Sequence, residues 1–163
     1  MAATAADTPV VRTSARTMTA TDWGMFIVRI FLGVVFLIHG SQKVLGGPGG
    51  VLETLLGGQG LSATATGMGG MGIPVWLAYV SIFTEFAGGI LLILGVLSRI
   101  CGIGLFINMA VAIWLVHLPK GFFGPFGYEY PLTLAGMALA IIVGGPGAAA
   151  IADWEGKLFR RSP

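Results

Sequence analysis

The sequence of 163 residues has few charged side chains and a single cysteine. Only 10% of the residues are charged, whereas an ordinary water-soluble domain has about 25%, so a soluble fold would lack polar surface. Cys101 has no partner for an intramolecular disulfide, and the missing C-x-x-C pair excludes dithiol exchange within the chain. The basic residues do not cluster with aromatics, which argues against nucleic-acid binding.

Apolar residues make up 55% of the chain, and its mean hydropathy is +0.88. They gather in four segments, at about residues 23–44, 73–97, 100–118 and 130–143. At 1.5 Å per residue, the first three are long enough to cross a hydrocarbon core of about 30 Å. The sequence predicts an all-α membrane protein, a four-helix transmembrane bundle whose fourth helix ends near Gly144 or continues to Ala150.

The segments between and beyond the apolar runs define the domain organisation. Residues 1–21 lack large apolar side chains and are predicted to be a disordered cytoplasmic tail. Residues 22–153 form the membrane domain, and 154–163 a basic cytoplasmic C-terminal tail. Residues 51–56 are predicted to form a short interfacial helix, and the aromatic loop 120–129 is interpreted as an anchor at the headgroup level.

The distribution of basic residues predicts the orientation of the bundle. With four spans, both termini lie on one side of the membrane. Lys43 and Lys120 fall on the other side, whereas six basic residues share the side of the termini: Arg12, Arg16, Arg99, Lys157, Arg160 and Arg161. The positive-inside rule therefore predicts that both termini are cytoplasmic.

Three polar residues at membrane depth are the first candidates for a site. An ionisable group there costs on the order of 2.5–3.5 kcal/mol, so each needs a structural or functional reason. Arg29, Glu85 and Asn108 lie on helix faces lined with small residues, which predicts that they point towards one another. We expect an Arg29–Glu85 ion pair. It either fixes helix register or lines a quinone site or proton path.

A second polar group is predicted at the outer surface. His39 and Lys43 are four residues apart and share a helix face, while His117 and Glu129 approach from other helices. We expect Lys43 and Glu129 to neutralise each other, and His39 to be suited to proton transfer near neutral pH. No C-x-x-C-H pattern accompanies the histidines, so no haem or metal site is predicted.

Short motifs in the same order resemble the DoxX family of small bacterial membrane proteins. Residues 29–43 read RIFLGVVFLIHGSQK, similar to the family's R-x-x-x-G-x-x-F-x-x-H-G-x-x-K signature. Residues 85–99 read EFAGGILLILGVLSR, similar to its E-x-x-G-G-x-x-L-x-x-G segment. Glu129-Tyr130-Pro131 and Gly145-Pro146-Gly147 also match, and the resemblance covers roughly residues 22–153.

The resemblance implies a four-helix bundle in the bacterial cytoplasmic membrane. DoxD-type relatives form part of a thiosulfate:quinone oxidoreductase, and other members resemble membrane partners in sulfur-redox or oxidative-stress systems. Residues 29, 39 and 85 are then the candidates for handling protons and charge. The candidate quinone or substrate cavity takes in Arg29, His39, Lys43, Glu85, Asn108 and Glu129.

Three functions stay open on the sequence alone. The first is a quinone-linked redox subunit, with quinone as substrate and no evident resident cofactor. The second is a non-catalytic anchor or accessory subunit of a larger membrane complex. The third is a small-solute channel or carrier. The two halves show no convincing inverted repeat, and a single short bundle would need to form a homo-oligomer.

Overall fold

The computed structural model describes residues 17–47 and 57–152. Most of the two predicted tails and the predicted helix 51–56 lie outside the described residues. The described chain contains five α-helices: α1 Ala20–Leu45, α2 Leu61–Gly70, α3 Val75–Leu94, α4 Ser98–Ala112 and α5 Glu129–Gly144. A π-helical turn, Ile113–His117, and a 3-10 turn, Leu118–Lys120, prolong α4.

The all-α prediction is confirmed, and three of the helical segments are long and apolar enough to cross a membrane. They are Ala20–Leu45, Val75–Leu94 and Ser98–Lys120, whereas α5 has only 16 residues. The outward faces carry large apolar side chains, such as Phe31 at 65%, Trp114 at 72% and Val143 at 74% exposure. So much exposed apolar surface is expected of a chain solvated by lipid.

The helix α1 begins at a capping box. The Asp22 backbone N–H donates to Oγ1 of Thr19 at 3.2 Å, and the Thr19 backbone N–H donates to the Asp22 carboxylate at 2.8 Å. These bonds satisfy donors that a helix N-terminus leaves free. They explain why α1 begins at Ala20, inside the segment predicted as tail.

Glycines bring α1 and α3 into backbone contact. A Cβ atom placed on Gly89 of α3 would lie 2.5 Å from the Leu37 backbone nitrogen of α1. A Cβ atom on Gly40 of α1 would lie 2.5 Å from the backbone nitrogen of Phe86. Only residues without a side chain allow the two antiparallel helices to approach this closely. The contact fixes their register.

This register offsets the two helices along their common axis. Because Gly40 lies beside Phe86, the last residue of α1, Leu45, does not extend as far as the first turns of α3, which begins at Val75. The N-terminal turns of α3 therefore project beyond the end of α1. The helix α2 covers those turns, where its Ala65 packs against Ala78 and Ile82 of α3. We name this end of the bundle, where α1 and α4 end, the Lys43 end, and the opposite end the Arg29 end.

The helices α4 and α5 complete the bundle. Gly102 of α4 lies against the backbone of α5, where a Cβ atom would be 3.2 Å from the Ala138 carbonyl oxygen. A buried apolar core joins the four long helices, and its members include Leu32, Phe36, Leu92, Leu105, Leu134, Ala138 and Ile141. The core occupies the level between the two ends of the bundle.

The chain turns back after α5 and closes the Arg29 end. Gly145 and Gly147 adopt positive φ angles of 83° and 71°, which glycine reaches without strain. Residues 145–152, which we call the strap, then run across the end of the bundle. The Ala148 N–H donates to the Asp22 carbonyl at 2.8 Å, and the Ile151 N–H to the Leu94 carbonyl at 3.2 Å. The fourth helix therefore ends at Gly144.

Substitution of adjacent glycines in α3 tests the close contact. We expect Gly89→Ala to destabilise the bundle by about 1–3 kcal/mol, because its methyl group meets the α1 backbone. Gly88→Ala is the matched control, since its Cβ atom meets only the Leu105 side chain at 3.7 Å. Alanine also favours the helix by up to about 1 kcal/mol. Thermal unfolding in detergent gives the comparison, and equal effects would contradict this packing.

Candidate functional site

An ion pair between α1 and α3 forms the centre of the candidate site. Lys43 lies in the last turn of α1, and its Nζ contacts Oε2 of Glu85 on α3. Glu85 stands midway along α3, about 15 Å from its first residue. The lysine side chain is 29% exposed and the glutamate side chain 5%. The pair thus brings opposite charges together inside the helix bundle, where a buried charge without a partner would be unstable.

Asn108 of α4 is the third member of this cluster. Its Nδ2 donates to Oε1 of Glu85 and to the backbone carbonyl of Ser81, both at 3.2 Å. Since both neighbours are acceptors, the amide nitrogen must face α3 and the amide oxygen must face away. The predicted convergence of Glu85 and Asn108 is confirmed. We name Lys43, Glu85 and Asn108 the polar cluster.

The polar cluster lies at one side of a cleft of about 480 Å³ between α2, α3 and α4. This volume is within the range of about 300–1,000 Å³ that is usual for small-molecule sites. Apart from the cluster, Thr64, Ser81 and Thr84 contribute hydroxyl groups to its wall. The remaining wall is mainly apolar: Met68, Met71, Ile73, Leu77, Val80, Ile107, Val111, Ala112 and Val116. The cleft can therefore hold an apolar ring against a few polar groups.

Arg29 lies away from the cleft, so the predicted Arg29–Glu85 ion pair is wrong. The fourteen residue-to-residue steps from Arg29 to Lys43 span about 21 Å of helix. The glycine register places Arg29 beside Gly95, beyond the end of α3, whereas Glu85 stands beside the last turns of α1. The prediction assumed that α1 and α3 are aligned end to end, so it placed Arg29 and Glu85 at the same level and missed the axial offset of the two helices.

The Arg29 side chain holds the strap. It is fully buried, and its Nη2 donates to the carbonyls of Ala148 and Ala149, both at 3.2 Å. The guanidinium also lies 5.4 Å from the ring centroid of Phe26, which is cation–π distance. Arg99 acts in a similar way at the end of α5, where its Nη1 donates to the carbonyls of Ile142 and Val143. These arginines close the Arg29 end through backbone carbonyls.

His39 and Glu129 lie at the Lys43 end but outside the cleft wall. The Nε2 atom of His39 lies 3.2 Å from the hydroxyl oxygen of Tyr130 on α5. The predicted pairing of Lys43 with Glu129 is wrong, because the Lys43 ammonium contacts Glu85 instead. Glu129 starts α5, where its negative charge suits the helix N-terminus.

The second histidine has a local structural contact. The Nδ1 atom of His117 lies 2.9 Å from the carbonyl oxygen of Phe126 in the aromatic loop. In residues 17–47 and 57–152 there is no group of three His, Cys, Asp or Glu side chains able to hold a metal ion.

Sequence reasoning missed α2 and the hydroxyl groups of the cleft. The Gly-rich composition of 46–72 suggested a loop, yet Leu61, Ala65 and Met68 recur at helical spacing and face α3. Ser81 and Thr84 stand four and one residues before Glu85, which places them on or beside its helix face. The spacing was present in the sequence, but only the fold shows which face borders the cleft.

The model of the DoxX family matches residues 24–118. This range runs from α1 to the turns after α4, so it contains the whole polar cluster. The chain belongs to the DoxX family. In this DoxX-family membrane protein, the residues of the polar cluster lie on helices that the family model covers. The strap and α5 lie beyond them.

Two relatives of this DoxX protein have comparable length. It is 30% identical over 118 residues to CatD of Bacillus subtilis, whose name assigns it provisionally to the oxidoreductases; the match covers 72% of this chain and 78% of CatD. It is 32% identical over 138 residues to an uncharacterized protein of Haemophilus influenzae, covering 82% and 90% of the two chains. No solved structure matches the chain.

A double-mutant cycle tests the ion pair. We expect Glu85→Gln alone to destabilise the protein by about 2 kcal/mol, because it leaves the Lys43 ammonium without its counter-charge. This is below the ~3–5 kcal/mol of a fully buried pair, because Lys43 is partly exposed. The Lys43→Met/Glu85→Gln double variant should regain most of the loss. Thermal unfolding in detergent measures all variants.

Glu129→Gln is the control for this cycle. It removes a carboxylate from the same end of the bundle, but one that contributes only to the α5 N-terminus. A loss of less than about 1 kcal/mol is expected. Strictly additive effects of the Lys43 and Glu85 substitutions would contradict the ion pair.

Proposed function

We propose that this protein is an integral membrane component of a redox system and binds a quinone in the cleft beside the polar cluster. One observation carries the proposal: a charged and hydrogen-bonding cluster lies at the middle of a membrane-length helix and borders an apolar cleft of ligand size. Ionisable groups at such depth usually serve a function or a specific pairing. The oxidoreductase name of the relative CatD supports the redox assignment.

The cluster offers suitable chemistry for a quinone ring. The Lys43 ammonium can donate a hydrogen bond to a ring oxygen, and the Glu85 carboxylate can accept one from the hydroxyl group of the reduced ring. Reduction of a quinone adds two electrons and two protons. The Lys43 ammonium is placed to give one proton to the ring oxygen beside it, and we assign the second proton, at the far ring oxygen, to water. We assign the electrons to a partner subunit, so that this chain binds and orients the ring within a larger complex or a homo-oligomer.

The other two functions have weaker support. A channel through one bundle would have to connect the cleft with the Arg29 end, but Leu32, Phe36 and Leu92 fill the level between them and are at most 1% exposed. An accessory subunit without chemistry would keep the bundle and the ion pair, yet it gives no reason for a cleft beside the charged groups. Ligand binding separates these cases.

Titration with decylubiquinone tests the proposal. We expect saturable binding to the protein in lipid nanodiscs, and a loss of affinity of at least about tenfold in Lys43→Met/Glu85→Gln, because a hydrogen bond to a charged group contributes about 1.5–3 kcal/mol. Thr133→Val is the control, since its hydroxyl donates to the Glu129 carbonyl of its own helix. The proposal would be contradicted if decylubiquinone bound neither to the protein alone nor to the protein purified with its membrane partners.

We also propose that α1, α3, α4 and α5 all cross the membrane, with both termini on the cytoplasmic side. The start of α1 and the strap after α5 are hydrogen-bonded at one end of the bundle, which is compatible with an even number of crossings. The bias of basic residues favours the cytoplasm for that end. The 16 residues of α5 give about 24 Å, and the strap continues beyond them.

Cysteine labelling tests this orientation in a Cys101→Ser background. Thr17→Cys lies before α1, and Phe123→Cys lies in the aromatic loop, where the native side chain is 78% exposed. We expect a membrane-impermeant maleimide to label residue 123 in intact cells and residue 17 only after the membrane is opened. The reverse pattern would invert the orientation, and labelling of both in intact cells would exclude four crossings.

A further inference from the structure

We propose that the cleft selects a lipid-soluble ligand with a hydroxyl group on its ring, a phenol or hydroquinone, over the corresponding carbonyl or ether compound. The inference rests on the proposed function in so far as the cleft is a ligand site. It goes further by naming the oxidation state and the chemical group that are recognised. The inference is argued from the hydrogen-bond donors and acceptors of the polar cluster that its internal contacts do not use.

The polar cluster has hydrogen-bond donors on Lys43 that its contact with Glu85 does not use. The Lys43 ammonium has three N–H groups, and its contact with Glu85 uses one of them. The lysine side chain is the more exposed member of the pair and lines the cleft. Two N–H groups of Lys43 are therefore available to an acceptor oxygen on a ligand.

Within the residues that the structure describes, the polar cluster also has hydrogen-bond acceptors that are left without a donor. The Asn108 amide nitrogen has both its bonds on acceptors of α3, so its orientation is settled and its Oδ1 atom accepts no bond in the described part of the chain. The Glu85 carboxylate is acceptor-only when ionised and has more lone pairs than its two partners use. A ligand must therefore bring a donor to use this side of the cluster.

A ring hydroxyl group meets both requirements with one atom. Lys43 and Asn108 contact the two oxygens of the same carboxylate, and all three residues line the cleft. A ring hydroxyl there accepts from Lys43 and donates to Oδ1 of Asn108 or to Glu85. A quinone carbonyl or a methyl ether accepts from Lys43 but brings no proton. Sites that bond a hydroxyl in this way discriminate strongly against analogues that lack it.

The walls of the cleft indicate that this ligand comes from the bilayer. Val80 and Ile107 line the cleft and are also 54% and 56% exposed on the outer surface of α3 and α4. The cleft is thus continuous with the surface that faces lipid. At the Lys43 end, Met68 and Met71 from α2 and its following turn contribute to the wall. An apolar tail can remain in lipid while the ring hydroxyl reaches the polar cluster.

A matched pair of probes tests the selectivity on the unmodified protein. 4-Nonylphenol and its methyl ether, 4-nonylanisole, have the same ring and tail and differ in whether the ring oxygen carries a proton or a methyl group. Each probe is titrated into the protein in nanodiscs as a competitor of bound decylubiquinone, with concentrations expressed per lipid to remove the difference in partitioning. We expect the phenol to compete at least about tenfold more strongly than the ether.

Variants assign the selectivity to the cluster. Asn108→Leu removes the amide oxygen at similar volume, and we expect the preference for phenol to fall by about threefold or more, with the ether unaffected. Thr133→Val should keep the full preference. The comparison on the unmodified protein does not depend on whether Asn108→Leu folds.

The outcomes separate this inference from the proposed function. If phenol and ether compete equally while decylubiquinone binds, the hydroxyl selectivity is wrong and the quinone site stands. If decylubiquinone binds more tightly than decylubiquinol under anaerobic conditions, the stated preference is reversed and the inference also fails. If no probe binds, both the inference and the proposed function fall.

Discussion

The ion pair of Lys43 and Glu85 can form only because α1 and α3 touch through glycine. Gly40 and Gly89 let the two backbones meet, and the resulting register sets the lysine in the last turn of α1 beside the middle of α3. Asn108 then brings α4 to the same carboxylate. Three helices are thus joined at one buried charge, whose position depends on a contact that no larger residue permits.

The two ends of the bundle use their polar groups differently. At the Arg29 end, arginine side chains bind backbone carbonyls of α5 and the strap, and Arg29 itself is completely buried. Such contacts hold chain segments in place and offer little to a ligand. At the Lys43 end, the ion pair borders a cleft, and α2 covers the part of α3 that α1 does not reach. The structural contacts of the arginines and the ligand site that we propose therefore lie at opposite ends of the bundle.

The sequence predicted the helical class and the long helices to within a few residues, because apolar length and periodicity report these directly. It paired the charges wrongly. Pairing depends on the axial offset of α1 and α3, which is set by which glycines meet, and a single sequence does not show that Gly40 faces Phe86. The helix α2 was missed because its glycines outweighed the spacing of its few apolar residues.

The charge at the middle of α3 has two physical explanations, helix register and ligand recognition, and the same carboxylate can serve both. A structure in lipid with a brominated long-chain phenol tests the second most directly, because anomalous scattering locates the bromine without ambiguity. We expect one bromine position within the cleft between α2, α3 and α4, with the phenol oxygen next to Lys43 and Asn108. Bromine found only on the outer, lipid-facing surface of the bundle would contradict ligand recognition and leave the ion pair with a structural role alone.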